Sequence, residues 1–186
     1  TIEYEKHIPV GTFKLMALIE TAGAIVNIKE ICEACPNRMV AVVFGCEDYV
    51  TNTQGKHDDE GKSIFYARNA IVNAARYAGI APIDTVHIKV HDLEDLEKEV
   101  VLGKQLGFEG MSVLNPKELP IIHQYYSPSE EEVAWATEMV ELAEEAVREG
   151  KGVAVKDNKF IGPPMVKMAK NILAKHDKIQ WKTPKE

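Results

Sequence analysis

Between residues 13 and 114, apolar runs alternate four times with segments of helical spacing. The run Phe13 to Ile19, followed by Glu20, predicts a buried strand that ends in a carboxylate. Thr21 stands where a helix cap belongs, and Ala24, Ile25, Ile28, Ile31 and Cys32 form one apolar face until Pro36 stops the helix. Met39 to Phe44 is a continuous apolar run, the pattern of a strand covered on both faces, and it leads through Gly45, Cys46 and Glu47 to a terminal Asp48. Ser63 opens a helix over Ile64 to Ala78, and Gly79 closes it. A third strand falls among Ile83, Val86, Ile88 and Val90, after Pro82. Asp92 caps a helix over Leu93 to Leu106 that ends at Gly107, and a short strand over Gly110 to Leu114 is broken by Asn115-Pro116.

The pattern then changes. A helical piece over Lys117 to Tyr126 leads to Ser127-Pro128, and Ser129-Glu130-Glu131-Glu132 is a capping box. The helix it starts carries Val133, Ala136, Met139, Val140, Ala143 and Val147 on one side and ends at Gly150. Gly152 to Ile161 reads as a hairpin turning at Asp157-Asn158, and Gly162-Pro163-Pro164 sets the first turn of a last helix, Met165 to Ala174. Residues 1–12 read as a lead-in, the polar stretch Thr51 to Lys62 as a ligand-side loop, and the tail from Lys175 as loose.

Strand–helix alternation implies an α/β fold with a parallel sheet. Four such units make half of an eight-unit barrel, or a small open sheet. Parallel strands deliver their carboxyl ends to one edge, so Glu20 and Asp48 meet there. Two acids at such an edge suit a hard cation such as Mg²⁺, which takes oxygen ligands and often only one or two protein carboxylates.

Composition narrows the function classes. With 186 residues and 45% apolar content, the chain is long enough for a sizeable core. A net charge of −7 argues against nucleic acid as the main partner. No apolar run is long enough to cross a bilayer, and neither a leader nor a lipidation signal is read. Three cysteines suit a reducing compartment, so the expected location is cytoplasmic. Cys32 and Cys35 read as free thiols rather than half a zinc site, and Cys46 as a small residue permitting close backbone approach. His57 is a possible ligand contact, His87 and His91 sit in a strand, Arg68 belongs to an ion pair on the outer layer, and Asp58-Asp59-Glu60 is a solvated run.

Seven short motifs occur in a fixed order: Leu18-Ile19-Glu20-Thr21-Ala22; Phe44-Gly45-Cys46-Glu47-Asp48; Ala67-Arg68 with Ala74-Ala75-Arg76; Gly107-Phe108-Glu109-Gly110; Asn115-Pro116; Pro128-Ser129-Glu130-Glu131-Glu132-Val133; and Lys159-Phe160-Ile161-Gly162-Pro163-Pro164-Met165-Val166. Together, over roughly residues 10 to 175, they resemble the citrate lyase beta-subunit family with its relatives malyl-CoA lyase and other CoA-ester lyases.

The resemblance implies a TIM-type (β/α) barrel, of which this chain supplies the last four strand–helix units, plus a C-terminal helical extension. Residues 1–126 would be the C-terminal half of the barrel. Residues 127–186 would be the extension, with its small hairpin, packing on a neighbouring subunit of a homotrimer. The implied reaction is Mg²⁺-dependent carbon–carbon cleavage of a citryl-, malyl- or citramalyl-CoA-like 3-hydroxyacyl-CoA to acetyl-CoA, or a homologue, and a 2-oxo acid. Glu20 and Asp48 would hold the metal, Gly45, Cys46 and Glu47 would lie beside the acid, and Asn115-Pro116 would meet the CoA portion. No residue is singled out as the general base. Gly162 stands where many family members carry an aspartate, and Asp157 is a poor substitute. The alternatives are a metal-dependent 4-hydroxy-2-oxo acid aldolase that works without CoA, and a catalytically silent subunit that binds CoA or a dicarboxylate.

Overall fold

A computed structural model describes residues 2–58, 60–151, 153–156 and 159–182. It divides into two compact units, Thr1–Ile122 and His123–Glu186. In the first unit the order is α1 (Ile2–Glu5), β1 (Leu15–Ile19), α2 (Ala22–Val26), α3 (Ile28–Glu33), β2 (Met39–Phe44), α4 (Cys46–Asn52), α5 (Lys62–Ala78), β3 (Ala81–Asp84), α6 (Leu93–Leu106) and β4 (Gly110–Met111). A 3₁₀ turn, Pro116–Glu118, follows, and the unit boundary falls within the next helix, α7 (Leu119–Tyr126).

The four strands form one parallel sheet in the order β1-β2-β3-β4. Ile19 lies opposite Phe44, Val42 opposite Pro82, and Asp84 opposite Met111. These residues share one face, and all are buried. α5 covers that face because Ile64, Ala67, Ile71, Val72 and Ala75 recur at helical spacing and are buried together. The other face carries Met16, Leu18, Val43, Ala81 and Ile83. It is open along β1, where Met16 is 59% and Leu18 55% exposed, while Ala41 is buried and Val43, Ala81 and Ile83 are half-buried.

Several expectations need correction. β1 begins at Leu15 rather than Phe13 and is not buried throughout; it is an edge strand, and only Ile19 is fully covered. Nor is β2 covered on both faces, since Val40 is exposed and Val43 half-buried. The helix expected from Thr21 to Pro36 is two pieces. At Asn27 the backbone leaves helical geometry, with φ −103° and ψ 21°, and the side-chain amide donates to the Gly23 carbonyl at 2.8 Å. Asp48 does not end a strand, because β2 stops at Phe44 and Asp48 lies in the first turn of α4. The third strand is Ala81–Asp84, so Val86 to Val90 lie outside it, with His87 and His91. Residues 2–5 are helical, and Glu3 is buried against Arg38.

The second unit holds α8 (Glu130–Arg148), β5 (Ala154–Lys156), β6 (Lys159–Ile161) and α9 (Pro163–Lys182). The capping box at Ser129 and Glu132 is present, and Gly150 has a φ of 67° after the helix, where a left-handed residue ends it cheaply. β5 and β6 pair antiparallel; the expected turn, residues 157–158, lies outside the described residues. α9 runs eight residues beyond the expected Ala174. Ala136, Met139, Ala146, Ala154, Ile161 and Ala169 form this unit's core. Among the described residues no helix is long and apolar enough to cross a membrane.

Candidate metal and oxo-acid site

Glu20 follows the last residue of β1, and Gly45 follows the last residue of β2. The Gly45 N–H donates to the Ile19 carbonyl at 2.9 Å, so the parallel ladder continues one step past both strands. Glu20 and Gly45 are therefore neighbours at the carboxyl edge of the sheet, on its open face. A Cβ placed on Gly45 would lie 2.9 Å from the Glu20 Cβ and 3.1 Å from its Oε2. The bare glycine backbone is what lets the Glu20 carboxylate lie across the start of α4.

Asp48 is carried by α4. Gly45 caps this helix, Asp48 is three residues on and Asn52 four more, so the three occupy one face. Both ends of that face touch the β1–α2 turn. Gly45 meets Glu20, and the Asn52 Oδ1 accepts the Ala22 N–H at 2.9 Å. Asp48 lies between these two contacts. Among the described residues neither Glu20 nor Asp48 is paired with a cationic side chain. Glu20 is half-buried and Asp48 exposed, so both can present oxygen to an ion from solvent.

The backbone around Gly45 is already partly committed. The Gly45 N–H goes to Ile19, and the Cys46 N–H donates to the Thr85 Oγ1 at 3.2 Å. The N–H groups of Glu47 and Asp48 open α4 and have no carbonyl four residues back within it. The Cys46 thiol is buried, and loss of solvent pushes it up to about 11, so it is not a nucleophile at neutral pH. The Glu47 carboxylate points to His57, whose Nε2 is 2.7 Å away, and the Cys46 Sγ is 3.6 Å from the same oxygen. His57 thus turns back onto α4.

Behind the edge, on the helix-covered face, Asp84 ends β3. Its Oδ1 accepts the Arg68 Nε–H at 3.1 Å, its Oδ2 is 3.0 Å from the Arg68 Nη2, and both side chains are fully buried. Burial pushes the Asp84 carboxyl up, and the guanidinium opposes that shift. Arg68 was expected on the outer layer; it lies instead between α5 and the sheet. An acid closing an apolar strand, as in Ala81-Pro82-Ile83-Asp84, is the signal that a buried cation was needed. Asn52 and Thr85 carried no comparable signal, because short polar side chains after helices and strands are common.

The turn at Asn115-Pro116 follows β4. Asn115 caps the 3₁₀ turn by accepting the Lys117 N–H at 3.0 Å, and buried Glu118 accepts the Leu114 N–H at 3.2 Å. Asp58 is a cap rather than a free acid. It accepts the N–H groups of Glu60, Lys62 and Ser63, bonds that lower its carboxyl. In the second unit Gly162 is buried, and a Cβ there would fall 2.5 Å from the Phe160 ring. Asp157 lies outside the described residues.

The donor set at the edge fits a hard divalent ion. It is two carboxylates on adjoining elements, unneutralised by lysine or arginine among the described residues, beside a glycine that leaves room for the first.

Over 165 residues the chain is 38% identical to the citrate lyase subunit beta of Leuconostoc mesenteroides subsp. cremoris, covering 89% of this chain and 54% of that protein. It is 32% identical to the mitochondrial citramalyl-CoA lyase of Homo sapiens, covering 84% of this chain and 48% of that protein. The chain thus spans about half the length of the curated relatives it matches. A crystal structure of CitE from Mycobacterium tuberculosis, in complex with magnesium, acetoacetate and coenzyme A, superposes with a TM-score of 0.72 at 26% identity, over 88% of this chain and 61% of that one. A citrate lyase from Burkholderia xenovorans LB400 shares the fold with a TM-score of 0.81 at 19% identity, over 98% of this chain and 58% of that one. The HpcH/HpaI aldolase/citrate lyase family model matches residues 1–116, and the chain belongs to that family.

Proposed function

We propose that this chain carries the metal-holding and oxo-acid-holding part of a carbon–carbon lyase that cleaves a 3-hydroxyacyl-CoA to acetyl-CoA, or a homologue, and a 2-oxo acid. The reading is supported by two placements: Glu20 lies against Gly45, and Asp48 stands one turn along the same face of α4, with neither acid paired with a cationic side chain among the described residues. Glu20 and Asp48 would hold Mg²⁺. When bound, the ion supplies positive charge to the carbonyl oxygen that forms as the carbon–carbon bond breaks.

The chain's own residues do the rest of the positioning. Gly45 keeps the space into which the Glu20 carboxylate folds. Asn52 holds the turn after Glu20 by its bond to Ala22, and Thr85 holds the start of α4 by its bond to Cys46. The open N–H groups of Glu47 and Asp48 offer hydrogen bonds to the carboxylate of the oxo acid. Fixing that acid at two points sets the angle at which its carbonyl forms. Asn115 and Pro116 lie beyond β4 and would meet the CoA portion.

The strand order and the open apolar face support the barrel reading. Parallel strands in sequential order, with Met16 and Leu18 bare on the inner side, suit residues 1–126 as the later half of a (β/α) barrel. Residues 127–186 would then be the extension that packs on a neighbouring subunit of a cytoplasmic homotrimer.

Calorimetric titration with Mg²⁺ in the presence of a 2-oxo acid tests the reading. Binding that the acid strengthens, and that Glu20→Gln and Asp48→Asn each abolish, is expected. Undiminished binding in the double variant refutes it. Equimolar release of acetyl-CoA and oxo acid from a CoA thioester separates the lyase from an aldolase acting on free 4-hydroxy-2-oxo acids.

A further inference from the structure

Away from Glu20 and Asp48, the connection from β3 to α6 carries a buried histidine that the proposed chemistry does not use. His87 is 1% exposed. Its Nε2 lies 3.1 Å from the Asp92 carbonyl oxygen, and its Nδ1 lies 3.0 Å from the Glu99 Oε2. A carbonyl only accepts, so Nε2 carries a proton and donates it. Nδ1 then turns its lone pair toward a carboxylate that also only accepts, unless a positive charge stands between them. One ligand atom each from His87, Asp95 and Glu99 lie within 4.8 Å of one another.

The cluster joins one imidazole from the β3–α6 connection to two carboxylates from α6. Asp95 and Glu99 are four residues apart on α6 and share its face. The Nε2–H bond to a backbone carbonyl aims Nδ1 at the Glu99 carboxylate, as the outer bond of a histidine metal ligand does. The carboxylates line a cavity of about 250 Å³ that also reaches Cys46, His57, Lys89 and Lys98, which gives a cation a way to Asp95 and Glu99. Lys89, 3.1 Å from Asp95, supplies part of the positive charge that the cluster requires.

We propose that His87, Asp95 and Glu99 form a divalent-metal site separate from Glu20 and Asp48, selective for a zinc-class cation over Mg²⁺, that pins the β3–α6 connection to α6. One imidazole nitrogen with two carboxylates suits a borderline ion such as Zn²⁺, whereas Mg²⁺ prefers an all-oxygen shell. On binding, any proton on Nδ1 is released to the buffer, Lys89 swings from Asp95 into solvent, and water completes the coordination.

Zn²⁺ titration of the full chain with ¹⁵N-labelled histidine tests this. The His87 Nδ1 should take the chemical shift of a metal-bound nitrogen while Nε2 keeps its proton, and the thermal transition should rise. Excess Mg²⁺ should not reverse the change. Glu99→Gln and Asp95→Asn, both partly exposed positions, should fold normally and weaken Zn²⁺ binding at His87 by about tenfold or more. Glu20→Gln/Asp48→Asn should leave it intact, which separates this outcome from the fate of the Mg²⁺ reading. A His87 ring that stays unmoved or doubly protonated at millimolar Zn²⁺ overturns the proposal. So does a Glu99→Gln variant that binds as tightly as the parent; the cluster is then an imidazolium–carboxylate clasp only.

Discussion

The Glu20 side chain occupies the space that any side chain on Gly45 would need, with Oε2 only 3.1 Å from where a Cβ would stand. Gly45 has a φ of −107°, so alanine suffers no backbone strain there, and the effect of a substitution is purely steric. Gly45→Ala should cost about 1 to 3 kcal/mol of overpacking. Because the nearest clash, 2.9 Å, is with the Glu20 Cβ as well as its carboxylate, that cost should lower the thermal transition and weaken Mg²⁺ binding by about ten- to a hundredfold. Calorimetry and a melting curve on the same sample check both halves.

Asn52 should act on the site without touching the ion. Asn52→Ala removes the acceptor for the Ala22 N–H and loosens the turn that follows Glu20. A loss of about 1 kcal/mol in stability is expected, with a few-fold fall in Mg²⁺ affinity. Asn52→Asp keeps the acceptor and should preserve the turn, read as protection of the Ala22 amide in hydrogen exchange.

The buried pair Arg68 and Asp84 predicts an asymmetry in urea denaturation. Arg68→Met leaves a buried carboxylate alone and should cost about 3 to 5 kcal/mol. Adding Asp84→Leu removes that charge too and should recover most of the loss, because the strand end then packs as an apolar one. If the double variant is no better than the single, the pair contributes through its hydrogen bonds to the β3 edge rather than through charge balance.

Glu3 sets an acid limit on stability. The Arg38 guanidinium, bonded at 3.0 Å and 2.5 Å, together with the N–H groups of Phe13 and Gly11, holds its carboxyl down to about 2. A carboxyl lowered by folding binds its proton more readily in the unfolded chain. Its contribution is therefore complete above the ordinary value of 4.5 and is lost as pH falls from there toward about 2. Urea midpoints should fall across that window in the parent and fall less in Glu3→Gln.

How much of this was legible in the sequence depended on how local each signal was. Asp92, Gly107, the Ser129 capping box and Gly79 marked their helix ends correctly, because a cap is a bond between residues a few positions apart. Burial was not legible in the same way. Phe13 to Leu18 and Met39 to Phe44 look equally apolar, yet β1 is an edge and β2 is not, and only the pairing of distant strands decides that. Asn27 interrupts a helix by leaving helical geometry at a single residue, which apolar periodicity does not register. At the site, the acids of Glu20 and Asp48 stood out, but the parts that hold them did not. Asn52 to Ala22 and Cys46 to Thr85 are bonds across 30 and 39 residues, invisible to any short window.

The central claim is that Glu20 and Asp48 share one ion. Mn²⁺, a paramagnetic stand-in for Mg²⁺, tests it directly through its distance-dependent broadening of amide signals. At the lowest Mn²⁺ concentrations the amides of Glu20, Thr21, Gly45 and Asp48 should vanish together, and excess Mg²⁺ should restore them. If those signals survive saturating Mn²⁺, or if only one of the two acidic segments broadens, the two carboxylates do not form a metal site.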